Sequence, residues 1–143
     1  MKDQFVTYEI ALALKELGFS TPCFSAYTEN GNLMDIGNYF NDDIIGELEG
    51  HSYYISCLAP LWQQVIDWFR DEHDIVIEIA RQKYFDTYAN SYAYEVVCKV
   101  YKNKELEGSV VIRDNKNNHI FYSYEEAREQ AILKCIELCQ NKN

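Results

Sequence analysis

The stretch APLWQQVIDWFRDEHD, Ala59–Asp74, followed at once by Ile75-Val-Ile-Glu-Ile79, decides how this chain is read. Both tryptophans of the protein lie in it. Leu61, Val65 and Trp68, with Trp62, Ile66 and Phe69, fall at helical spacing, and Gln63, Gln64, Asp67, Arg70 and Asp71 fill the other side. The apolar stripe is wider than the ~100° of an ordinary surface helix. A helix of this kind is buried on more than one side or offers part of its stripe to a partner. Pro60 suits the first turn, where its missing N–H costs nothing. The spacing predicts a helix over 60–73 against which the rest of the chain packs. The β-branched run after it predicts a strand. Trp62 and Trp68, with Tyr84 and Phe85 further on, are the candidate interaction residues.

Working toward the N-terminus, His51–Leu58 reads as a strand feeding that helix. Gly37 to Gly50 has no regular pattern; Asn41-Asp42-Asp43 and Glu47-Leu-Glu49 surround Ile44-Ile45. This is expected to be an irregular or mobile acidic loop. Its carboxylates invite a cation, but the fixed ligand order of an EF-hand loop is missing. Asn30-Gly31 supplies the positive φ angles of a tight hairpin turn, so strands are expected near 23–28 and 33–36. Phe24 and Ala26 would share one face, with Cys23, Ser25 and Tyr27 on the other. Earlier still, Thr7 is an N-cap, Ile10, Ala13, Leu14 and Leu17 make an apolar face, and Gly18-Phe19 is a left-handed stop. A helix over 7–17 follows.

Toward the C-terminus, Arg81–Ser91 is aromatic and polar without periodicity and is expected to be an exposed excursion. Tyr92–Tyr101 is a second strand. Asn103–Gly108 reads as a turn. Ser109–Arg113 and His119–Tyr122 read as a hairpin across Asp114–Asn118. Ser123 and Glu126 form a capping box for a last helix over 124–140, with Ala127, Ala131, Cys135 and Leu138 in one line and Ile132, Ile136 and Cys139 beside it.

The chain is 143 residues, 48% hydrophobic and 15% aromatic, with a net charge of −10. That size suits one domain, expected over 1–143, with material for a core. No apolar run approaches the ~20 residues of a membrane span, so no membrane association is expected. Met1–Phe5 lacks the layout of a signal peptide. Five cysteines at irregular spacing do not form a disulfide framework, which points to the cytoplasm. Residues 1–80 hold 3 Lys/Arg and 14 Asp/Glu, and residues 81–143 hold 10 and 9. An acidic first half disfavours nucleic-acid backbones, which are bound by neutralising phosphates. It suits a basic partner or a nucleic-acid mimic.

Motifs for chemistry are sparse. His51, His73 and His119 lie on different elements, and no Cys/His set has zinc-site spacing, so no metal site is expected. No nucleophile elbow and no glycine pattern for a nucleotide is present, so no cofactor is expected. Asp71, His73 and Glu78, where the central helix meets the next strand, are the candidate acid–base group. They would need to converge in a pocket.

From Pro60 onward the order helix, three strands, helix is that of a double-stranded RNA-binding domain. That fold also needs a basic cluster where its last helix begins, and here the position reads Tyr124-Glu-Glu-Ala-Arg-Glu. The order can hold without the binding chemistry.

Three segments together, FVTYEIALALKELGFSTPCF (5–24), APLWQQVIDWFRDEHDI (59–75) and YSYEEAREQAILKCIELC (122–139), resemble an uncharacterised family of small proteins from phages, prophages and mobile elements of gut-type bacteria. The resemblance implies a compact α+β domain and a phage or mobile-element context, with no activity attached. The expectation is therefore an α+β fold, mainly antiparallel sheet with three helices. Its function is expected to be non-enzymatic, as an accessory protein contacting another protein or a second copy of itself. A degenerate RNA-binding fold, an acidic mimic and a small acid–base enzyme are the alternatives.

Overall fold

A computed structural model describes the backbone of residues 2–40, 55–86 and 89–142, and the side chains of 3–34, 55–83 and 92–142. The α+β class holds, with three helices and two three-stranded antiparallel sheets, rather than one, among the described residues. By backbone contacts the chain divides into two compact units, Met1–Trp68 and Phe69–Asn143.

The first unit begins with a short 3-10 turn, Lys2–Gln4, and helix α1, Tyr8–Glu16. Thr7 caps α1 by accepting a hydrogen bond from the Ile10 N–H, 3.4 Å. At the other end Gly18 takes φ 92°, and the Phe19 and Gly18 N–H groups donate to Leu14 and Lys15 carbonyls. Those two bonds satisfy carbonyls that a helix end otherwise leaves bare. Ile10, Ala11 and Leu14 are buried.

Strands β1 (Cys23–Thr28), β2 (Leu33–Phe40) and β3 (Ile55–Leu58) form the first sheet in the order β2-β1-β3. The β1–β2 turn differs in detail from expectation. The Thr28 N–H donates to the Asn32 carbonyl and the Gly31 N–H to the Thr28 carbonyl, so the loop between Thr28 and Asn32 holds three residues and only Gly31 is left-handed, at φ 76°. Three-residue loops of this kind need one αL residue, not two. Central β1 is covered on both faces, since Cys23, Ser25, Ala26 and Tyr27 are all buried. The strand β2 also runs on through 37–40, where irregular chain was expected; the acidic segment 41–50 lies outside the described residues, as does 51–54 of the expected strand before the central helix. Helix α1 packs on β3, where Lys15 Nζ donates to the Ser56 carbonyl at 2.7 Å and the Tyr8 and Ser56 hydroxyls meet at 3.1 Å.

The helix α2 spans Trp62–His73. Pro60 stands before it, not in its first turn. The Val6 N–H donates to the Pro60 carbonyl and Phe5 bridges Leu61, so pairing with the N-terminal segment holds 60–61 extended. Gln64 reaches back to accept the Leu61 N–H at 2.9 Å, satisfying a donor at the helix start. Trp62, Val65, Trp68 and Phe69 are buried, and the division between the two units falls between Trp68 and Phe69.

The second unit is built on strands β4 (Ile75–Asp86), β5 (Ala89–Lys102) and β6 (Glu105–Val111), in that order. Asp74, at φ 54°, makes the sharp passage from α2 into β4, a conformation that Asp tolerates better than most residues. The pairing of β4 with β5 runs unbroken from Ile75–Val100 to Asp86–Ala89. Arg81–Asp86 and Ala89–Ser91 are therefore a β-ribbon, not an excursion. Arg81, Gln82 and Lys83 are all exposed, so consecutive residues meet water on both faces. With no buried face there is no period-2 pattern to see.

The turn expected over 103–108 is much tighter. Asn103 and Lys104 take φ 52° and 67°, the two left-handed residues of a type I′ turn, and β6 starts at Glu105. The second half of the expected hairpin reduces to one bridge, Phe121 with Tyr94, closed by reciprocal bonds of 2.8 and 2.9 Å. Asp114 organises the loop between, its Oδ1 accepting from the Lys116 and Asn118 N–H groups. The backbone bond from Asn118, first among these, holds the Asp114 carboxyl below the usual range.

The last helix, α3, spans Tyr124–Gln140 as expected, with Ser123 Oγ accepting from the Glu126 N–H at 3.1 Å. It packs on β5 and β4 through Ala127, Ala131, Ile132, Cys135, Ile136 and Cys139. Cys98 of β5 meets Cys135 with sulfurs 3.7 Å apart.

Candidate functional site

The Cys98–Cys135 contact fixes which face of the second sheet lies under α3. Side chains alternate along a strand, so Ile77, Ile79, Val96 and Val100 share that face with Cys98, while Glu78 and Lys99 point the other way. Helix α3 packs on β5 and β4 more than on β6. A cleft of about 330 Å³ lies between β6 and the flank of α3, lined by Val110, Val111, Ile112, Arg113, Gln130, Leu133, Lys134 and Glu137.

Its lining is mixed, with Val110, Ile112 and Leu133 beside Arg113, Gln130, Lys134 and Glu137. Leu133 is 42% exposed on a helix whose other large aliphatic residues turn inward or lie half-buried; Val111, 47% exposed at the end of β6, pairs with Val97 and points to the sheet face away from α3. Lys134 is ion-paired with Glu137 at 2.9 Å, and Arg113 donates to the Asn117 carbonyl at 3.2 Å.

The backbone of β6 adds to this. Its Ile112 N–H donates to the Val96 carbonyl at 2.9 Å, which makes Ile112–Val96 a hydrogen-bonded pair. Antiparallel ladders alternate, so Val110 and Gly108 also turn toward β5, while Ser109 and Val111 direct their N–H and C=O groups outward. Among the described residues no strand pairs with β6 on that side. Leu106, 55% exposed, lies near the start of the same strand, where Glu107 is an extra residue in the ladder opposite Val100–Tyr101.

A second surface gathers aromatic rings and cations. Arg81 lies over the Tyr92 ring at 3.6 Å, Tyr94 meets Tyr124 edge-on at 5.9 Å, and Arg128 lies 5.6 Å from the Tyr124 ring centre. Tyr92, Tyr122 and Tyr124 are exposed.

The residues singled out from the sequence sit elsewhere. Trp62 and Trp68 are only 7% and 8% exposed; the Trp62 indole donates to the Asp3 carbonyl at 3.1 Å, and Trp68 meets Phe19 edge-on at 5.3 Å. Tyr84 and Phe85 lie in β4, with side chains outside the described residues. Asp71 is bound by Arg70 at 2.8 Å, and that hydrogen bond lowers its carboxyl from the usual range. Glu78 is bound by Lys99 at 2.8 Å on the sheet face away from α3. His73 is half-buried against the Phe69 ring, and burial, then Lys142, pushes its imidazole down. The cleft contains none of the three. Among the described residues no group of three or more His, Cys, Asp and Glu is placed to hold a metal.

All five cysteines are buried, and burial raises Cys23 to about 12 and Cys57 to about 11. The bond with Cys98, together with burial, keeps the Cys135 thiol protonated. Thiols in this state are poor nucleophiles.

The cleft was missed in the sequence for a reason that can be named. Leu133 falls off both apolar lines of α3, and a lone apolar residue on a polar flank was the one available signal. Compared with known proteins, the chain matches no family model, no curated protein and no solved structure. No described helix is long and apolar enough to cross a membrane.

Proposed function

We propose that this is a non-enzymatic accessory protein of phage or mobile-element context, working in the cytoplasm, that acts by binding a polypeptide along β6. One observation carries the reading: outward-facing backbone of β6 lies beside a cleft lined by Val110, Ile112 and Leu133 together with charged and polar side chains. Strand addition at a sheet edge draws affinity from backbone hydrogen bonds and selectivity from a neighbouring pocket. The acidic composition supports solubility while that surface waits for its partner. Photo-crosslinking residues placed in turn at Val111, Leu133 and, as a control, Glu72 test it in cells. Crosslinks to a polypeptide from 111 and 133 but not 72 are expected. None from 111 or 133 refutes the reading.

A second reading, a degenerate RNA-binding fold, draws support from the element order α2, β4, β5, β6, α3 and from the Arg81–Tyr92 and Arg128–Tyr124 pairs. The exposed Glu125 and Glu126 at the start of α3 oppose phosphate binding there. Absence of binding to duplex RNA at low salt ends this reading. An acidic mimic, in turn, requires carboxylates spaced along one face like phosphates.

A further inference from the structure

Resting on the reading of β6 as a contact surface, we propose that its partner is a second copy of this chain, paired antiparallel along β6 to join two three-stranded sheets into one of six. Long sheet edges that stay single are usually blunted by Lys, Pro, bulges or inward charges. The β6 strand has such devices only in its first half, where Glu105 and Glu107 stand and the ladder bulges. From Gly108 to Ile112 it has none, and a side chain at Gly108 would meet nothing within 4 Å.

The charges choose the partner. One end of the edge is acidic, at Glu105 and Glu107, and the other is cationic, at Arg113; all three are exposed. Antiparallel pairing of the strand with itself sets acid against cation at both ends, whereas parallel self-pairing sets like against like. Opposite charges across a strand pair stabilise and like charges destabilise it.

The register follows from the ladder. Outward-facing residues must pair with outward-facing residues, and a two-fold axis makes the pairing reciprocal. An axis through Val110 places Ser109 opposite Val111 of the second copy and Glu107 opposite its Arg113, twice over. Of the two neighbouring registers, an axis through Ser109 brings the Glu107 bulge inside the paired segment and breaks the ladder, and an axis through Val111 sets Arg113 opposite Ser109 and leaves Glu107 without its cation. A two-fold axis perpendicular to the joined sheet keeps both α3 helices on one face. The two clefts then open toward each other, and both Leu133 side chains lose contact with water. Repulsion between copies is smaller than the total charge suggests, because residues 69–143 hold eleven Lys/Arg against thirteen Asp/Glu.

Sedimentation velocity on the full chain, over a concentration series, tests this. The wild type is expected to be a dimer. Ser109→Pro removes an outward N–H and leaves the bonds to β5 intact, so it is expected to give a monomer with unchanged circular dichroism. Arg113→Glu is expected to weaken dimerisation about tenfold, and adding Glu107→Arg to restore it. A wild type that stays monomeric throughout overturns the proposal, as does a folded Ser109→Pro that dimerises equally well. If Ser109→Pro fails to fold, the charge pair decides: no loss with Arg113→Glu, or no recovery with Glu107→Arg, also overturns it. A monomeric wild type that still crosslinks another polypeptide from 111 and 133 removes the second copy and leaves the binding function standing.

Discussion

Gly31 and Gly18 both sit at positive φ, 76° and 92°, and differ in what a side chain there would meet. A methyl at Gly18 meets nothing within 4 Å. At Gly31 it lies 3.1 Å from Tyr8 Cδ1, inside ordinary contact distance. The ring cannot easily give way, since its hydroxyl meets that of Ser56 at 3.1 Å and its face lies 5.4 Å from the Tyr27 ring. Left-handed backbone costs an alanine ~1–2 kcal/mol, offset by the ~0.4–1 kcal/mol that alanine removes from unfolded-chain entropy. Gly18→Ala should therefore destabilise by about 1 kcal/mol. Crowding a packed site adds about 1–3 kcal/mol, so Gly31→Ala should lose about 2–4 kcal/mol. Urea unfolding followed by tryptophan fluorescence measures both, at unchanged m-value. In a Tyr8→Ala background the excess at Gly31 should vanish, because neighbours in contact couple. Equal losses in the two variants, or an excess that survives removal of Tyr8, would refute the reasoning.

Three further outcomes are expected. Ser123→Ala removes the acceptor for the Glu126 N–H and should cost about 1 kcal/mol, measured by urea unfolding. Because burial lowers His73 in the folded chain below its unfolded value of 6.5, protons bind the unfolded state preferentially. Stability contributed by the neutral imidazole is present above that value and should fall as pH drops through it, and His73→Phe should flatten this slope in melts between neutral and mildly acid pH. A thiol reagent at mildly alkaline pH should find no reactive cysteine in the native protein and all five after denaturation. Rapid native labelling of Cys23 or Cys57 would contradict their burial.

Much of this architecture is written locally. Thr7, Gly18-Phe19 and Ser123 act within three to five residues of themselves, so the bounds of α1 and α3 follow from short stretches of sequence. The same holds for the 28–32 turn, although the number of left-handed residues does not. Where pairing comes from far along the chain, sequence pattern ran out. Leu61 is extended because Phe5 pairs with it, and Pro60 is excluded from the helix for that reason. Arg81–Asp86 is a strand because 89–94 lies opposite, though Arg81, Gln82 and Lys83 all meet water.

The candidate site belongs entirely to the second category. By itself the sequence determined the α+β class, the helix caps and the strands with a buried face, because burial imprints a period and caps imprint a residue type. Tertiary structure alone decided that the strands form two sheets, that α3 packs mainly on β5 and β4, and that Leu133 and the outward-turned backbone of β6 stand together. That juxtaposition depends on where a helix lies over a sheet, and residues so far apart in the chain leave no shared period to announce it.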